Sequence, residues 1–215
     1  LVAATLSIFR WPWLAAPQGE RFTPYRCALQ TVYFSVLGLW WLFVLFLSGE
    51  SAPLPWLPLL NPLELAQLAV LALAVRWLWS EQSPAWLQRL RLFLLSAGGF
   101  LMVTFTTLRA VHHWGNVDWG SSMLSTSLAQ TSLTLVWSVL GVLGWVIGSR
   151  RGNRGLWLAG AVLMGVVLVK LILVDRGNLG DAWGIGSFIA YGLLCTLVGY
   201  FAPAPPRNAT QENAA

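Results

Sequence analysis

Residues 155–170 read GLWLAGAVLMGVVLVK, an uncharged apolar run that ends in a lysine. An α-helix rises about 1.5 Å per residue, so about 20 apolar residues are enough to cross roughly 30 Å of hydrocarbon. With its flanking residues this run approaches that length. Residues 92–109, LFLLSAGGFLMVTFTTLR, follow the same plan and end in an arginine. Such runs predict membrane-spanning helices rather than the core of a soluble domain.

The composition of the whole chain agrees with a membrane protein. Of its 215 residues, 57% are hydrophobic and 10% are charged, and the mean hydropathy is +0.66. An ordinary soluble domain has about 25% charged residues. We therefore predict an all-α fold, a polytopic transmembrane helical bundle in a lipid bilayer. Six spans are predicted, at about 28–48, 62–79, 92–111, 125–147, 156–174 and 183–201.

The segments outside the bundle are predicted to be short. Residues 1–27 are predicted to form a leading segment on the cytoplasmic side; alternatively, they include the end of an upstream span. Residues 28–201 are predicted to form the six-span membrane domain. Residues 202–215, APAPPRNATQENAA, are polar and predicted to be disordered. The first apolar stretch starts at Leu1 rather than a methionine and stops at Arg10, too early for a span or a signal peptide. This pattern indicates a piece of a longer parent chain.

Charge asymmetry predicts the orientation. One side of the hairpin series carries ten arginines, and the other carries two together with the rim lysine, Lys170. Since cytoplasmic loops are enriched in lysine and arginine, both ends of the chain are predicted to be cytoplasmic in a bacterial inner membrane. The excess of arginine on the cytoplasmic side also explains the pI of about 9.9, so we predict no nucleic-acid partner. The ten are Arg10, Arg21, Arg26, Arg76, Arg89, Arg91, Arg150, Arg151, Arg154 and Arg207; the two are Arg109 and Arg176.

Two hairpins resemble each other. AGGFLM at 97–102 matches AGAVLM at 159–164, and GNVDWG at 115–120 matches GNLGDAWG at 177–184. Both copies run from the inner to the outer side, which favours a parallel duplication of a two-helix unit. The alternative is that every such hairpin needs a basic inner end and a Gly/Asn turn. The predicted repeat units are about 91–147 and 154–201.

Small residues stand at four-residue spacing in two of the predicted spans. Gly144 and Gly148 form one pair, and Ala161 and Gly165 form the other. In lipid, such pairs let two helix backbones approach closely. We therefore expect both pairs to lie at helix–helix contacts.

Ionisable residues concentrate at the predicted outer face. Charges in or near hydrocarbon are costly and often mark functional sites. Lys170 lies close enough to the end of its span to extend its ammonium toward the interface. Simpler interpretations stay open, because Asp181 is placed to cap a helix and the two histidines are placed at an interface. The candidate outer-face polar cluster comprises Arg109, His113, Asp118, Lys170, Asp175 and Asp181.

Motifs for other chemistry are missing from the sequence. It has no phosphate-binding loop, no CxxC pair and no paired carboxylates at helical spacing. Cys27 and Cys195 lie far apart, and adjacent His112 and His113 point in different directions on a helix, which suits a metal poorly. We predict no catalytic residue, no cofactor and no metal site, and we lean away from an enzyme.

Residues 170–206, KLILVDRGNLGDAWGIGSFIAYGLLCTLVGYFAPAPP, run from a lysine–leucine pair through an aspartate and a short turn to a serine–phenylalanine pair, a glycine-rich span and a closing Gly–Tyr with prolines. With these motifs the C-terminal third resembles the DUF2339 family of predicted bacterial membrane proteins. The resemblance is good over 156–206, looser over 91–155 and slight before that. It implies a large inner-membrane protein with many spans, of which this chain is the C-terminal part, and it implies no reaction. One difference is Gly184, where members usually carry an arginine. The matching residues are Lys170, Leu171, Val174, Asp175, Ser187, Phe188, Gly192, Gly199 and Tyr200.

Three functions are compatible with this pattern. The first is a structural or assembly module, whose charges only fix helix ends. The second is a transport-like module, for which the outer cluster is a site or a gate on the path of a small molecule. The third is a membrane enzyme acting on envelope or lipid-linked material, with His113 and either Asp118 or Asp181 as the acid and base. The sequence names no substrate for either of the last two.

Overall fold

The computed structural model describes residues 1–16, 24–51, 55–174 and 182–201. Within these ranges the chain forms eight α-helices, one short 3-10 helix and no β-strand. This confirms the all-α prediction. The α-helices are α1 (Val2–Phe9), α2 (Trp11–Ala15), α3 (Arg26–Leu45), α4 (Pro62–Leu78), α5 (Ala85–Gly115), α6 (Ser127–Arg150), α7 (Arg154–Leu173) and α8 (Ala182–Phe201), and the 3-10 helix is Ser121–Ser125.

Four of the described helices are long and apolar enough to cross a membrane, namely α3, α5, α6 and α7. Many of their large apolar side chains are exposed, for example Val162 at 57% and Leu173 at 75% on α7. Exposure of this kind is costly in water and costs nothing against lipid tails. Each of the six predicted spans overlaps one helix, but α4 and α8, which overlap the other two, are not among these four, so six spans stay a prediction.

Helix α5 is longer than the predicted span. It covers 31 residues and starts at Ala85, directly after Pro84, whereas hydropathy places a span at 92–111. Hydropathy detects where the chain enters hydrocarbon, and a helix does not have to end there. The basic stretch around Arg89 and Arg91 consists of good helix formers, so the helix continues beyond the apolar run.

The chain divides into two compact units, Leu1–Arg109 and Ala110–Ala215. In the first unit, α1 packs on α3 and α4, and the rings of Phe34 and Trp77 stack with centroids 4.4 Å apart. The side-chain amide of Gln30 donates a 2.8 Å hydrogen bond to the buried carbonyl of Ser7. A second cluster comprises Trp41, Leu45, Val70 and Met102. The leading segment thus contributes α1 to the core of this unit.

In the second unit a tight turn joins α6 to α7. Gly152 has a φ of +62°, and the Asn153 N–H donates to the carbonyl of Gly148 at 2.9 Å, as in a Schellman motif. The side chain of Asn153 then caps α7 by accepting from the Leu156 N–H at 3.1 Å. A turn this short makes α6 and α7 antiparallel neighbours.

Glycines set the distance between α6 and α7. A Cβ atom at Gly148 would lie 2.6 Å from the Cα of Trp157, and one at Gly160 would lie 2.7 Å from the carbonyl oxygen of Gly141. Gly144 and Gly148 therefore lie at this contact, as expected. The expectation is wrong for Gly165, because a Cβ there meets no heavy atom within 4 Å among the described residues. Gly160 is the close-packing residue of α7.

Candidate polar sites in the two units

Arg109 lies inside the first unit with its side chain fully buried. Its Nε donates to the Leu47 carbonyl at 3.0 Å, and its Nη2 donates to the carbonyls of Val44 at 2.8 Å and Leu45 at 3.3 Å. Its Nη1 donates to the carboxylate of Glu64 at 3.4 Å and to the Gln67 side-chain oxygen at 3.1 Å. A guanidinium has five N–H groups, so these five acceptors satisfy all of them.

The position of Arg109 follows from the end of α3. The last carbonyls of a helix have no partner within the helix, and together they form the negative end of its dipole. The guanidinium of Arg109 binds carbonyls in the last turn of α3 and just beyond it. Arginine suits this place because its planar fork reaches several acceptors at once and stays charged when buried.

Glu64 supplies the opposite charge from the first turn of α4. Its carboxylate is fully buried, with one oxygen 3.4 Å from Arg109 and the other accepting from the Leu59 N–H at 2.5 Å. An anion at the N-terminal end of a helix is favoured by the helix dipole. One pair of charges therefore compensates the C-terminus of α3 and the N-terminus of α4 together.

The described parts of the loop between α3 and α4, residues 46–51 and 55–61, contact this ion pair. Asn61 caps α4 through the Leu63 N–H at 2.8 Å, and its amide donates to the Gly49 carbonyl. Gly49 has a φ of +73°, and a Cβ there would lie 3.3 Å from the Cδ of Arg109. Leu59 has a φ of +65°, which is uncommon for a side chain of its size. The hydrogen bonds of Leu47 to Arg109 and of Leu59 to Glu64 help to hold the backbone in these uncommon conformations.

Sequence reasoning placed Arg109 in the candidate site and missed Glu64, Gln67 and Asn61. The signal was present, since two polar residues in the first turns of an apolar helix are expensive unless they face a partner. Glu64 and Gln67 are three residues apart and so share one helix face. Arg109 is the partner that both side chains face, since its guanidinium binds the carboxylate of Glu64 and the side-chain oxygen of Gln67.

Lys170 lies on α7 in the second unit and is half-buried. Its Nζ donates to the hydroxyl oxygen of Thr134 at 2.6 Å and to the Gln130 carbonyl at 3.1 Å, both on α6. Thr134 is itself buried, and the Ser138 hydroxyl donates to its carbonyl at 2.6 Å. The lysine therefore links α7 to α6 next to a short run of buried hydroxyls.

Two further predicted site residues, His113 and Asp118, lie at the end of α5 and in the loop that follows it. The Nδ1 of His112 lies 2.6 Å from the Val117 carbonyl, and its ring packs on Trp119 and His113. His113 is half-buried and Asp118 is exposed. Within the described residues, no group of three or more His, Cys, Asp or Glu side chains is placed to hold a metal ion.

Asp175 and Asp181 lie outside the described residues. The structure thus describes four of the six predicted site residues, with Arg109 in the first unit and His113, Asp118 and Lys170 in the second. The interactions described above for Arg109 and Lys170 are made with neighbouring helices of their own units. The grouping of all six into one outer cluster stays a prediction.

Comparison with known proteins extends the resemblance seen in the sequence. The family model of DUF2339, described as a predicted membrane protein, matches residues 1–205. The match reaches well beyond the C-terminal third, where the sequence resemblance was clearest, and includes α1 to α4. No curated protein and no solved structure is significantly similar to the chain. The chain belongs to the DUF2339 family of predicted membrane proteins.

Proposed function

We propose that this chain is a structural module of a multi-span membrane protein, in which buried polar contacts hold the helices in place. The observation that carries the proposal is the Arg109 guanidinium, whose five N–H groups all bind acceptors of the protein itself. A cation that bound or gated a substrate would need N–H groups free for it. Lys170 supports the same role, because it joins α7 to α6.

The proposed topology has six spans with both ends in the cytoplasm of a bacterial cell. Its support is the excess of arginine on one side, which includes the exposed Arg150, Arg151 and Arg154 around the α6–α7 turn. Helix α4 has 17 residues, or roughly 26 Å at helical rise, so it fits a thin or locally thinned bilayer. Helix α8 has 20 residues and fits without adjustment.

A parallel repeat of two hairpins is part of the proposal. Met102 and Met164 occupy matching positions in the two copies, and both are buried, at 4% and 3% exposure. Gly98 and Gly160 also match, and both are buried at close contacts with other helices. These parallels favour an ancestral two-helix unit in which the same positions face the bundle interior.

The topology is tested by labelling the α6–α7 turn. In a variant with Cys27→Ser and Cys195→Ala, an added Arg151→Cys is expected to react with a membrane-impermeant maleimide only after the cells are opened. Arg151 is exposed, so access depends on the side of the membrane rather than on packing. Rapid labelling in intact cells would invert the proposed orientation.

The structural role of Lys170 is tested by Lys170→Ala. Loss of its bonds to Gln130 and Thr134 is expected to cost about 1–3 kcal/mol of unfolding free energy, because hydrogen bonds to charged groups are of that size. Thermal unfolding in detergent measures the change. Arg89→Ala is the control, since it removes an exposed cation from α5 and is expected to leave stability nearly unchanged.

The same variant separates the structural proposal from transport. Proteoliposomes loaded with a pH-sensitive dye are expected to show the proton permeability of protein-free vesicles, with or without Lys170. A proton flux that requires Lys170 while the thermal midpoint stays unchanged would contradict the structural proposal and favour a transport site.

A further inference from the structure

A cavity of about 400 Å³ lies among α6, α7 and α8 within the second unit. Its volume falls in the range of small-molecule sites, about 300–1,000 Å³. The lining is mainly apolar. It consists of Trp145, Ala161, Met164, Gly165, Tyr191, Cys195 and Gly199.

The walls are regular helix faces. On α8, Tyr191, Cys195 and Gly199 follow at intervals of four and share one face, and the Tyr191 hydroxyl fixes that helix by donating to the Met164 carbonyl at 2.8 Å. On α7, Ala161 and Gly165 also stand four residues apart. This small pair, expected at a helix contact, lines the cavity instead.

The basic α6–α7 turn lies at one end of this cavity. Arg154 precedes Ala161 by seven residues, which is about 10 Å along α7 and within about 20° of the same face. Arg150 follows Trp145 by five residues, about 8 Å along α6. Arg150, Arg151 and Arg154 are all exposed. An apolar cavity thus lies one to two helical turns deeper than a cluster of three positive charges.

One polar group at the cavity is unsatisfied. The Nε1 of Trp145 is buried and has no hydrogen-bond acceptor among the described residues. Tryptophan normally places its N–H toward a polar partner at the membrane interface. Trp145 lies five residues before Arg150, so it marks the end of the cavity that is nearer to the basic turn.

We propose that the cavity among α6, α7 and α8 binds one acyl chain of an anionic phospholipid, with the lipid phosphate on Arg150, Arg151 and Arg154. Charge complementarity selects this occupant, because basic clusters beside transmembrane helices recognise anionic headgroups. The positive end of the α7 dipole adds to the attraction at Arg154. The proposal goes beyond the structural role and does not depend on it.

Native mass spectrometry of the detergent-purified chain tests the proposal with phosphatidylglycerol and phosphatidylcholine as probes. The chain is expected to retain one phosphatidylglycerol and to release phosphatidylcholine. Arg154→Gln is expected to weaken phosphatidylglycerol retention about fivefold. The matched control Arg89→Gln removes an exposed arginine from α5 and is expected to change nothing. Equal retention of the two lipids by the unmodified chain would overturn the proposal.

A second variant tests the cavity itself. Gly165→Leu places a side chain in open space and is expected to abolish retention while the three arginines stay in place. Retention that survives Gly165→Leu would mean that the headgroup adsorbs to the surface, which contradicts the cavity site. If the unmodified chain were a dimer and Gly165→Leu dissociated it, the occupant of the cavity would be a second copy of the chain, which would also contradict the proposal.

Alkylation of Cys195 gives a readout that does not depend on how Gly165→Leu folds. Cys195 lines the cavity and is exposed, and Cys27→Ser removes the other thiol. Phosphatidylglycerol is expected to slow the reaction of Cys195 with maleimide at least fivefold. Phosphatidylcholine is expected to leave the reaction rate unchanged. Equal rates with the two lipids would contradict an acyl chain in this cavity.

Discussion

Replacing Arg109 with methionine is expected to cost about 3–5 kcal/mol of unfolding free energy, the largest effect of any single substitution in the first unit. Methionine keeps much of the side-chain volume and removes the charge and all five hydrogen bonds. Glu64 is then left as a fully buried carboxylate without its counter-charge, and an uncompensated buried charge is destabilising by that amount. Unfolding of the purified chain in mixed micelles titrated with SDS measures the loss.

Arg89→Met is the matched control for this substitution. It makes the same chemical change on the same helix, but Arg89 is exposed. Its expected effect is within about 0.5 kcal/mol, as for most surface substitutions. If the two variants lost equal stability, the effect at Arg109 would reflect total charge rather than the buried contacts.

In the second unit, Gly160→Ala is expected to be the most damaging small change. The added Cβ would lie 2.7 Å from the Gly141 carbonyl oxygen and 2.8 Å from the carbonyl carbon of Gly144. Both are backbone atoms of α6, so no side chain can rotate away, and α6 and α7 must separate. Overpacking of a rigid contact costs about 1–3 kcal/mol or more. Thermal unfolding in detergent reports the loss.

Gly165→Ala provides the comparison. The substitution is chemically identical and lies five residues further along α7, where a Cβ meets no heavy atom within 4 Å among the described residues. Alanine is a better helix former than glycine by up to about 1 kcal/mol, so this variant is expected to be neutral or slightly stabilised. A loss at Gly165 equal to that at Gly160 would show that helix separation is not set by the glycine contact.

Much of the fold follows from the sequence because membrane helices carry a simple signal. A run of apolar residues predicts α3, α6 and α7 to within three residues at either end, since hydrocarbon requires the backbone to satisfy its own hydrogen bonds. The extension of α5 to Ala85 does not follow, because hydropathy carries no information about helix outside the membrane. Whether Gly160 or Ala161 contacts α6 depends on how α7 is rotated about its axis. The sequence does not determine this rotation, because Ala159, Gly160 and Ala161 are all small.

The candidate site was harder to predict than the fold. A single charge in an apolar run identifies Arg109 and Lys170 as residues that need partners. It does not say which helices supply those partners, because that depends on packing between segments distant in sequence. Glu64 lies 45 residues from Arg109, and Thr134 lies 36 residues from Lys170. Backbone carbonyls, such as those of Val44 and Leu45, leave no trace in the sequence at all.

The coupling between Arg109 and Glu64 tests the structural proposal most directly. A double-mutant cycle with Arg109→Met and Glu64→Leu compares the loss in the double variant with the sum of the two single losses. We predict that the double variant is more stable than that sum by about 2 kcal/mol or more, because each single change leaves one charge buried and unpaired. Losses that add within about 0.5 kcal/mol would show that the two residues act independently, and the buried ion pair would not be what holds α3, α4 and α5 together.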